Sequence, residues 1–414
     1  MTDSKSQTSC RVCHSAQLVP YLELGSTPLA NSYITAAALL SPEFREELTL
    51  QLCTKCGLSQ LTKVVSPDRM FKNYLYVSST TETFRSHCVE LARTATAVAG
   101  CKQGDLILDI ASNDGCLLSK FKERGMRVIG VDPAENLAKE ANAAGIETVN
   151  AYWSSAAAKE IVSRVGSPKV ITATNVFAHV DDVHEFVGAV DACLSKGGVF
   201  IIECPYILDF IERNEFDTAY HEHLSYLGIT PISSLVEQYG FHVFDIEYFE
   251  DLHGGTIRVY ICRTSDFPLK DRVHQFLERE RKFRIKEVEP YHVFARRVQV
   301  NRNLLVELLT QEQRKRKVIW GYGASAKGNT LSNFFEISKD AVPVVIDDNP
   351  KKWKLYTPGT HMRITGISEL HNASVDHLLL LAWNFQKEIV HRCRSAGYTG
   401  SFIVPVPTPK IISE

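Results

Sequence analysis

Cys10-x-x-Cys13 and Cys53-x-x-Cys56 bring four thiols into two tight pairs. Each pair can offer two thiolates to one ion, and two pairs complete the tetrahedral shell of structural Zn²⁺, so a closed, non-catalytic metal site is expected at Cys10, Cys13, Cys53 and Cys56. A different chemistry is written between Asp217 and Tyr226, where Tyr220, His221, Glu222 and His223 put a phenol, two imidazoles and a carboxylate in successive positions. Histidine is suited to proton transfer near neutral pH, and an adjacent phenol or carboxylate can orient it. His179, in the segment NVFAHV, follows an apolar run and is expected at the carboxyl edge of a sheet, facing the same crevice.

Two loops have the form of nucleotide sites. Asp109-Ile-Ala-Ser-Asn-Asp-Gly115 follows one predicted strand and opens a helix, with Ala111 and Asn113 in slots where S-adenosylmethionine-dependent methyltransferases usually carry glycine. Asp132, at the end of the next run RVIGVD, can accept both ribose hydroxyls of an adenosine. Asn113 and Asp114 would crowd a pyrophosphate, which favours the methyl donor over a nicotinamide. The second loop, Gly321 to Gly328, precedes a helix and includes Gly323 and Lys327; Asp347 and Asp348 follow at the end of VPVVIDD. Taken alone it reads as a dinucleotide site or as a turn that only permits close helix–strand packing.

These residues need a scaffold. Apolar runs alternate with helical stretches from Leu106 to Glu203 and again from Lys317 to Val406, which predicts two parallel α/β sheets of Rossmann type behind a small N-terminal metal module. HVFDIEYF and TIRVYICR are expected as further strands of the first sheet, and the charged stretch from Leu269 to Arg316 as amphipathic connecting helices. The expected domains are residues 1–75, 76–265 and 266–414. With 46 Lys+Arg against 48 Asp+Glu, no global positive field favours nucleic acid or a membrane surface. The N-terminal segment lacks the apolar core of a signal peptide, and no uncharged run reaches the ~18 residues of a membrane span, so a cytoplasmic location is expected, as a monomer or weak dimer.

The chain resembles the sugar C-methyltransferases that methylate nucleotide-linked deoxyketosugars. The resemblance rests on the two cysteine pairs, LELGSTPLANSY, NYLYVSS at 73–79, SNDG at 112–115, NVFAHV, TAYHEHLSY at 218–226, HGGTIRVY at 253–260, GYGASAKGNTL at 321–331 and YTPGTH at 356–361. It implies a zinc module, a central S-adenosylmethionine domain and a C-terminal α/β domain that holds the nucleotide-sugar. It also implies a reaction site of Tyr74, His179, Tyr220, Glu222 and His223, with His223 as base. Donor contacts are expected from Asp109, Ser112, Asn113, Asp114, Gly115, Asp132 and Asn175. Substrate contacts are expected from His253, Gly254, Thr256, Arg258, Gly323, Lys327, Asn329 and Asp347. The substrate expected is a dTDP-4-ketosugar methylated at C3, with C5 as the alternative carbon. The alternatives are an NAD-dependent nucleotide-sugar oxidoreductase built on the second glycine-rich loop and a zinc-containing nucleotide-sugar binding protein.

Overall fold

The computed structural model describes residues 4–71, 82–250, 252, 254–263 and 266–413. Near the N-terminus, strands Leu18–Pro28, Arg45–Cys53 and Ser59–Leu61 form an antiparallel sheet. Ser225–Tyr226, from the histidine-rich segment far along the chain, pairs with Ser59–Leu61 and completes it. The sequence shows little periodicity here for a local reason: the pairing of Leu18–Pro28 shifts register between Pro20 and Leu22 and again between Glu23 and Ser26. Such irregularities interrupt the alternation of side chains between the two faces and blur a period-2 pattern.

Among the described residues the central sheet has seven strands, in the order Phe241–Phe249, Thr256–Arg263, Val199–Pro205, Val170–Thr174, Leu106–Ile110, Arg127–Val131, Thr148–Val149. The five strands between Leu106 and Pro205 are parallel and almost wholly buried, as a sheet covered on both faces requires. The runs expected as extra strands join this sheet: Thr256–Arg263 is antiparallel to Val199–Pro205, and Phe241–Phe249 is antiparallel to Thr256–Arg263 and so runs in the direction of the five. Strand order reverses between Leu106–Ile110 and Val170–Thr174, so the loops after these strands, 111–115 and 175–179, flank the crevice where such sheets bind ligands.

The connecting stretch folds as helices Asp271–Phe283 and Glu289–Arg314; the longer one buries Tyr291, Phe294, Val298, Leu305 and Leu309 along one stripe. Beyond it, five parallel strands and the antiparallel Lys410–Ile412 form a second sheet, in the order Arg363–Thr365, Val344–Ile346, Ile319–Tyr322, His377–Leu380, Ser401–Val404, Lys410–Ile412.

One expected substrate residue belongs to the core instead. Arg258 is fully buried and sits opposite Glu203 on one neighbouring strand and Glu247 on the other. Its Nε donates to Glu203 at 2.9 Å, and its Nη1 donates to both Glu247 and Glu90 at 2.9 Å. Burial acts to raise the Glu203 carboxyl, but the hydrogen bond from His87 and the charge of Arg258 outweigh it and hold the carboxyl below its usual range. The expected substrate contact at Arg258 is thus replaced in this structure by buried contacts to three carboxylates. Arg258→Leu strands the Glu203 charge, and denaturant titration is expected to show a loss of about 3–5 kcal/mol; a variant of parental stability would dismiss this account of Arg258.

Candidate active site and metal centre

The four cysteines converge. Sγ of Cys10 lies 3.4 Å from Sγ of Cys56, and Sγ of Cys13 lies 3.5 Å from that of Cys53, with all four sulfurs within 4.8 Å of one another. A tetrahedral zinc thiolate with bonds of about 2.3 Å has sulfurs about 3.8 Å apart, so the set fits Zn²⁺ and leaves no open position for catalysis. Each Cys-x-x-Cys turn is followed by a residue of left-handed backbone, His14 at φ 54° and Gly57 at φ 83°. Between the first pair, the buried Arg11 donates to the Leu224 carbonyl at 3.3 Å and lies 3.4 Å from Asp181. The metal module is thereby tied to the histidine segment.

At the crevice, Ala111, Asn113 and Gly115 all adopt left-handed backbone, at φ 58°, 52° and 78°. The loop thus keeps the conformation that glycines would give at alternate positions, at a cost of about 1–2 kcal/mol for Ala111. Asp132 holds it there: its Oδ2 accepts the Asn113 N–H at 2.8 Å and its Oδ1 accepts the Ala134 N–H at 2.8 Å. A carboxylate has about four acceptor sites, so two remain for vicinal hydroxyls. Burial raises the Asp132 pKa. Asp109 faces into the sheet, where Thr172 Oγ1 donates to it at 2.6 Å, and burial pushes its carboxyl up to about 7. The buried Ser112 hydroxyl has no hydrogen-bond partner and packs where a Cβ at Gly130 would be, which makes Gly130 a requirement of the loop. Asp114 caps the turn through the Cys116 N–H at 3.3 Å, and Asn175, at φ 54°, lines the opposite loop. An adenosine-bearing donor fits this cradle of an acid, a tight turn and an orphaned hydroxyl.

The histidine segment reaches the same edge. His223 Nδ1–H donates to the Thr218 carbonyl at 2.8 Å, and the Tyr220 hydroxyl lies 2.7 Å from Nε2. A carbonyl only accepts, so Nδ1 carries the proton and Nε2 keeps its lone pair, with the phenol donating to it. The His179 ring meets His223 edge-on at 4.8 Å, drawn in by the Leu224 N–H on the Ala178 carbonyl. Burial lowers the His179 pKa to about 4, which keeps that ring neutral. Glu222 Oε1 accepts from Asn31 at 2.7 Å, whereas the buried His221 turns away to the Glu46 carbonyl at 3.2 Å. Tyr74 and His253, also expected here, lie outside the described residues.

The C-terminal candidates divide. Lys327 donates to Glu215 Oε2 at 3.2 Å and sits 4.9 Å over the Trp383 ring. Its charge is met by carboxylates of the central domain. Asn329 donates to the Ala30 carbonyl at 2.7 Å, and the Thr256 hydroxyl donates to the Leu252 carbonyl at 2.9 Å; both side chains are buried in structural contacts. Gly254 has φ 89°, and a Cβ there would overlap the Glu215 carboxylate. At Gly323 and Gly328 a Cβ would collide with Ala382 and Leu381, so these glycines are accounted for by close packing. Asp347 sits beyond Val344–Ile346 and accepts from Lys352 at 3.3 Å, beside the Ala324 carbonyl that Lys352 also meets at 2.7 Å. Sequence reasoning missed Thr218, Asn31, Glu215 and Trp383; a main-chain acceptor and contacts between distant segments leave no local motif.

Three family models match successive stretches of the chain. A domain described as zinc binding matches residues 10–71, a methyltransferase domain matches 82–246, and a C-methyltransferase C-terminal domain matches 251–407. The chain is 33% identical over 406 residues to the C-methyltransferase NovU of Streptomyces niveus, which spans 98% of this chain and 96% of that protein. Among solved structures, the PH0226 protein of Pyrococcus horikoshii OT3 aligns with a TM-score of 0.37 and 14% identity, covering 48% of this chain and 98% of its own. Magnesium protoporphyrin IX methyltransferase of Synechocystis PCC 6803, with bound SAH, aligns at 0.34 and 12%, covering 44% and 83%.

Metal analysis checks the thiolate cluster: about one zinc per chain is expected, falling well below half an equivalent in Cys53→Ser. Parental zinc content in that variant would exclude a four-thiolate site.

Proposed function

The chain belongs to the family of S-adenosylmethionine-dependent C-methyltransferases with an N-terminal zinc-binding domain, and on that premise we propose that it methylates a nucleotide-linked deoxyketosugar, at C3 of a dTDP-4-ketosugar. The observation that carries the proposal is the His223 hydrogen-bond pair. An imidazole whose Nδ1 proton is committed to a carbonyl keeps its lone pair on Nε2, which becomes a base once the Tyr220 phenol that donates to it turns to the substrate, in a crevice beside a neutral histidine. Carbon methylation needs that arrangement, because a carbon becomes nucleophilic once a base removes the proton α to a ketone.

The single Nε2 lone pair of His223 holds the Tyr220 O–H, so the phenol first turns from Nε2 to the ketone oxygen; Nε2 then takes the α-proton, and the C–H electron pair passes into the enolate. The displaced Tyr220 O–H donates to the developing oxyanion, with the neutral His179 ring beside it. Glu222, held by Asn31, fixes the segment between these groups. Bound S-adenosylmethionine supplies an electrophilic methyl group and leaves as the thioether. Asp132 and the 111–115 loop hold the adenosine end, and the alignment they impose contributes several kcal/mol, on the order of what near-attack positioning provides. The turn after Ile319–Tyr322, with Asp347 beside it, serves the nucleotide end of the sugar.

Two measurements test the proposal. In heavy water with ketosugar and S-adenosylhomocysteine, the parent should exchange the α-hydrogen without forming product, and His223→Asn should bind both ligands yet exchange ~10²- to 10⁴-fold more slowly. Parental exchange in that variant rejects His223 as base. Calorimetry should find S-adenosylhomocysteine bound more than about tenfold more weakly by Asp132→Ala, because hydrogen bonds to a charged acceptor are lost; unchanged affinity would move the donor elsewhere.

A further inference from the structure

The turn that sets the His223 tautomer is gripped from the C-terminal domain. Phe216–Thr218 is a single 3-10 turn, closed by the Thr218 N–H on the Glu215 carbonyl, and the carbonyl of its last residue accepts the His223 Nδ1 proton. Glu215, Phe216 and Asp217 are each engaged from across the domain boundary. Glu215 meets Lys327 at 3.2 Å, the Phe216 ring stacks on Phe335 at 5.2 Å, and Asp217 Oδ2 accepts from Trp383 Nε1 at 2.6 Å. Lys327 lies over that same indole at 4.9 Å, so cation, indole and two carboxylates form one cluster. Asp217 is fully buried and Glu215 is 4% exposed, which makes the cluster an expensive arrangement whose return is orientation rather than stability.

We propose that Lys327 is a positioning residue for the base: with Trp383 it holds the 215–218 turn so that the Thr218 carbonyl keeps His223 in the tautomer with Nε2 unprotonated. The inference rests on the proposed role of His223. Lys327 acts through Glu215, the turn and a main-chain carbonyl, touching neither the donor nor the reacting carbon. It replaces the expectation that Lys327 contacts the substrate diphosphate, since its ammonium is already neutralised within the cluster.

A split between kcat and KM separates the two roles. Lys327→Ala should lower kcat and the rate of α-hydrogen exchange more than tenfold, with the ketosugar KM and the affinity for S-adenosylhomocysteine within twofold of the parent. Trp383→Phe, which keeps a ring but removes the donor to Asp217, should fall in the same direction, and Lys327→Arg should recover part of the lost kcat. A Lys327→Ala enzyme with parental kcat and exchange and a KM raised tenfold or more would overturn the proposal in favour of a phosphate contact. If that variant does not fold, parental kcat in Trp383→Phe overturns it equally. The underlying role of His223 is read separately: parental exchange in His223→Asn rejects the base, whereas slow exchange there together with parental rates in the Lys327 and Trp383 variants rejects only the positioning.

Discussion

An imidazole can serve as a base only while one ring nitrogen keeps its lone pair in the direction of the substrate. In the role proposed for His223 that condition rests on one hydrogen bond, from Nδ1 to the Thr218 carbonyl, which leaves the lone pair on the Nε2 side where Tyr220 donates. The segment around it is held from three sides. The N-terminal module contributes the Asn31 amide to Glu222, the Glu46 carbonyl to His221, and the Leu61 N–H and Arg11 guanidinium to the Leu224 carbonyl. The central sheet contributes the Ala178 carbonyl, and the Ile207 N–H reaches Leu227. The C-terminal domain contributes Lys327 and Trp383. Residues from the N-terminal module, the central domain and the C-terminal domain thus meet at one short stretch and hold it more firmly than a flexible loop could be held.

Holding that stretch in the interior brings buried carboxylates with it. Burial pushes the Glu215 carboxyl up to about 7 against the opposing charge of Lys327, and it raises Asp217 as well. A carboxyl whose folded pKa exceeds its unfolded value loses stabilising effect as pH rises from the unfolded pKa towards the folded one, so Glu215 opposes folding on the alkaline side of that window. The neighbouring backbone is shaped to admit the group: only a residue without a Cβ fits at Gly254 beside the Glu215 carboxylate, and the same holds for Gly255 beside Asp209. The glycine pair in this segment is therefore explained by the acids it packs against.

How much of this was legible in the sequence follows the range of each interaction. Cysteine pairs, alternating strands and helices, and an acid at a strand end are local patterns, and the four-sulfur cluster, the two extra strands and the position of Asp132 could be read from them. The partners of Arg258 and Lys327 could not be read from the sequence, because the carboxylates they meet lie on other strands or in another domain and only the folded register brings them together. Thr218 was invisible for a different reason, since a main-chain carbonyl has no residue type. Ala111 and Asn113 look like departures from a glycine loop, yet the Asp132 carboxylate, bound to the Asn113 N–H, holds the left-handed backbone that glycines would otherwise supply.

The same chain of contacts ties the metal module to the histidine segment. Arg11 sits inside the first cysteine pair, so its backbone is fixed by the geometry of the thiolates on either side, and its side chain meets the carbonyl of Leu224, the residue after His223. His14, after the second cysteine, stacks on His184 of the central domain at 4.4 Å, and His184 donates back to the Val12 carbonyl at 2.9 Å. A zinc ion at the thiolates would stiffen this turn far more than its few backbone hydrogen bonds can, because metal–thiolate bonds supply folding free energy directly. A closed metal site would therefore stiffen one surface against which the 218–224 segment is set, and the lysine–indole cluster meets the turn before that segment from the C-terminal domain.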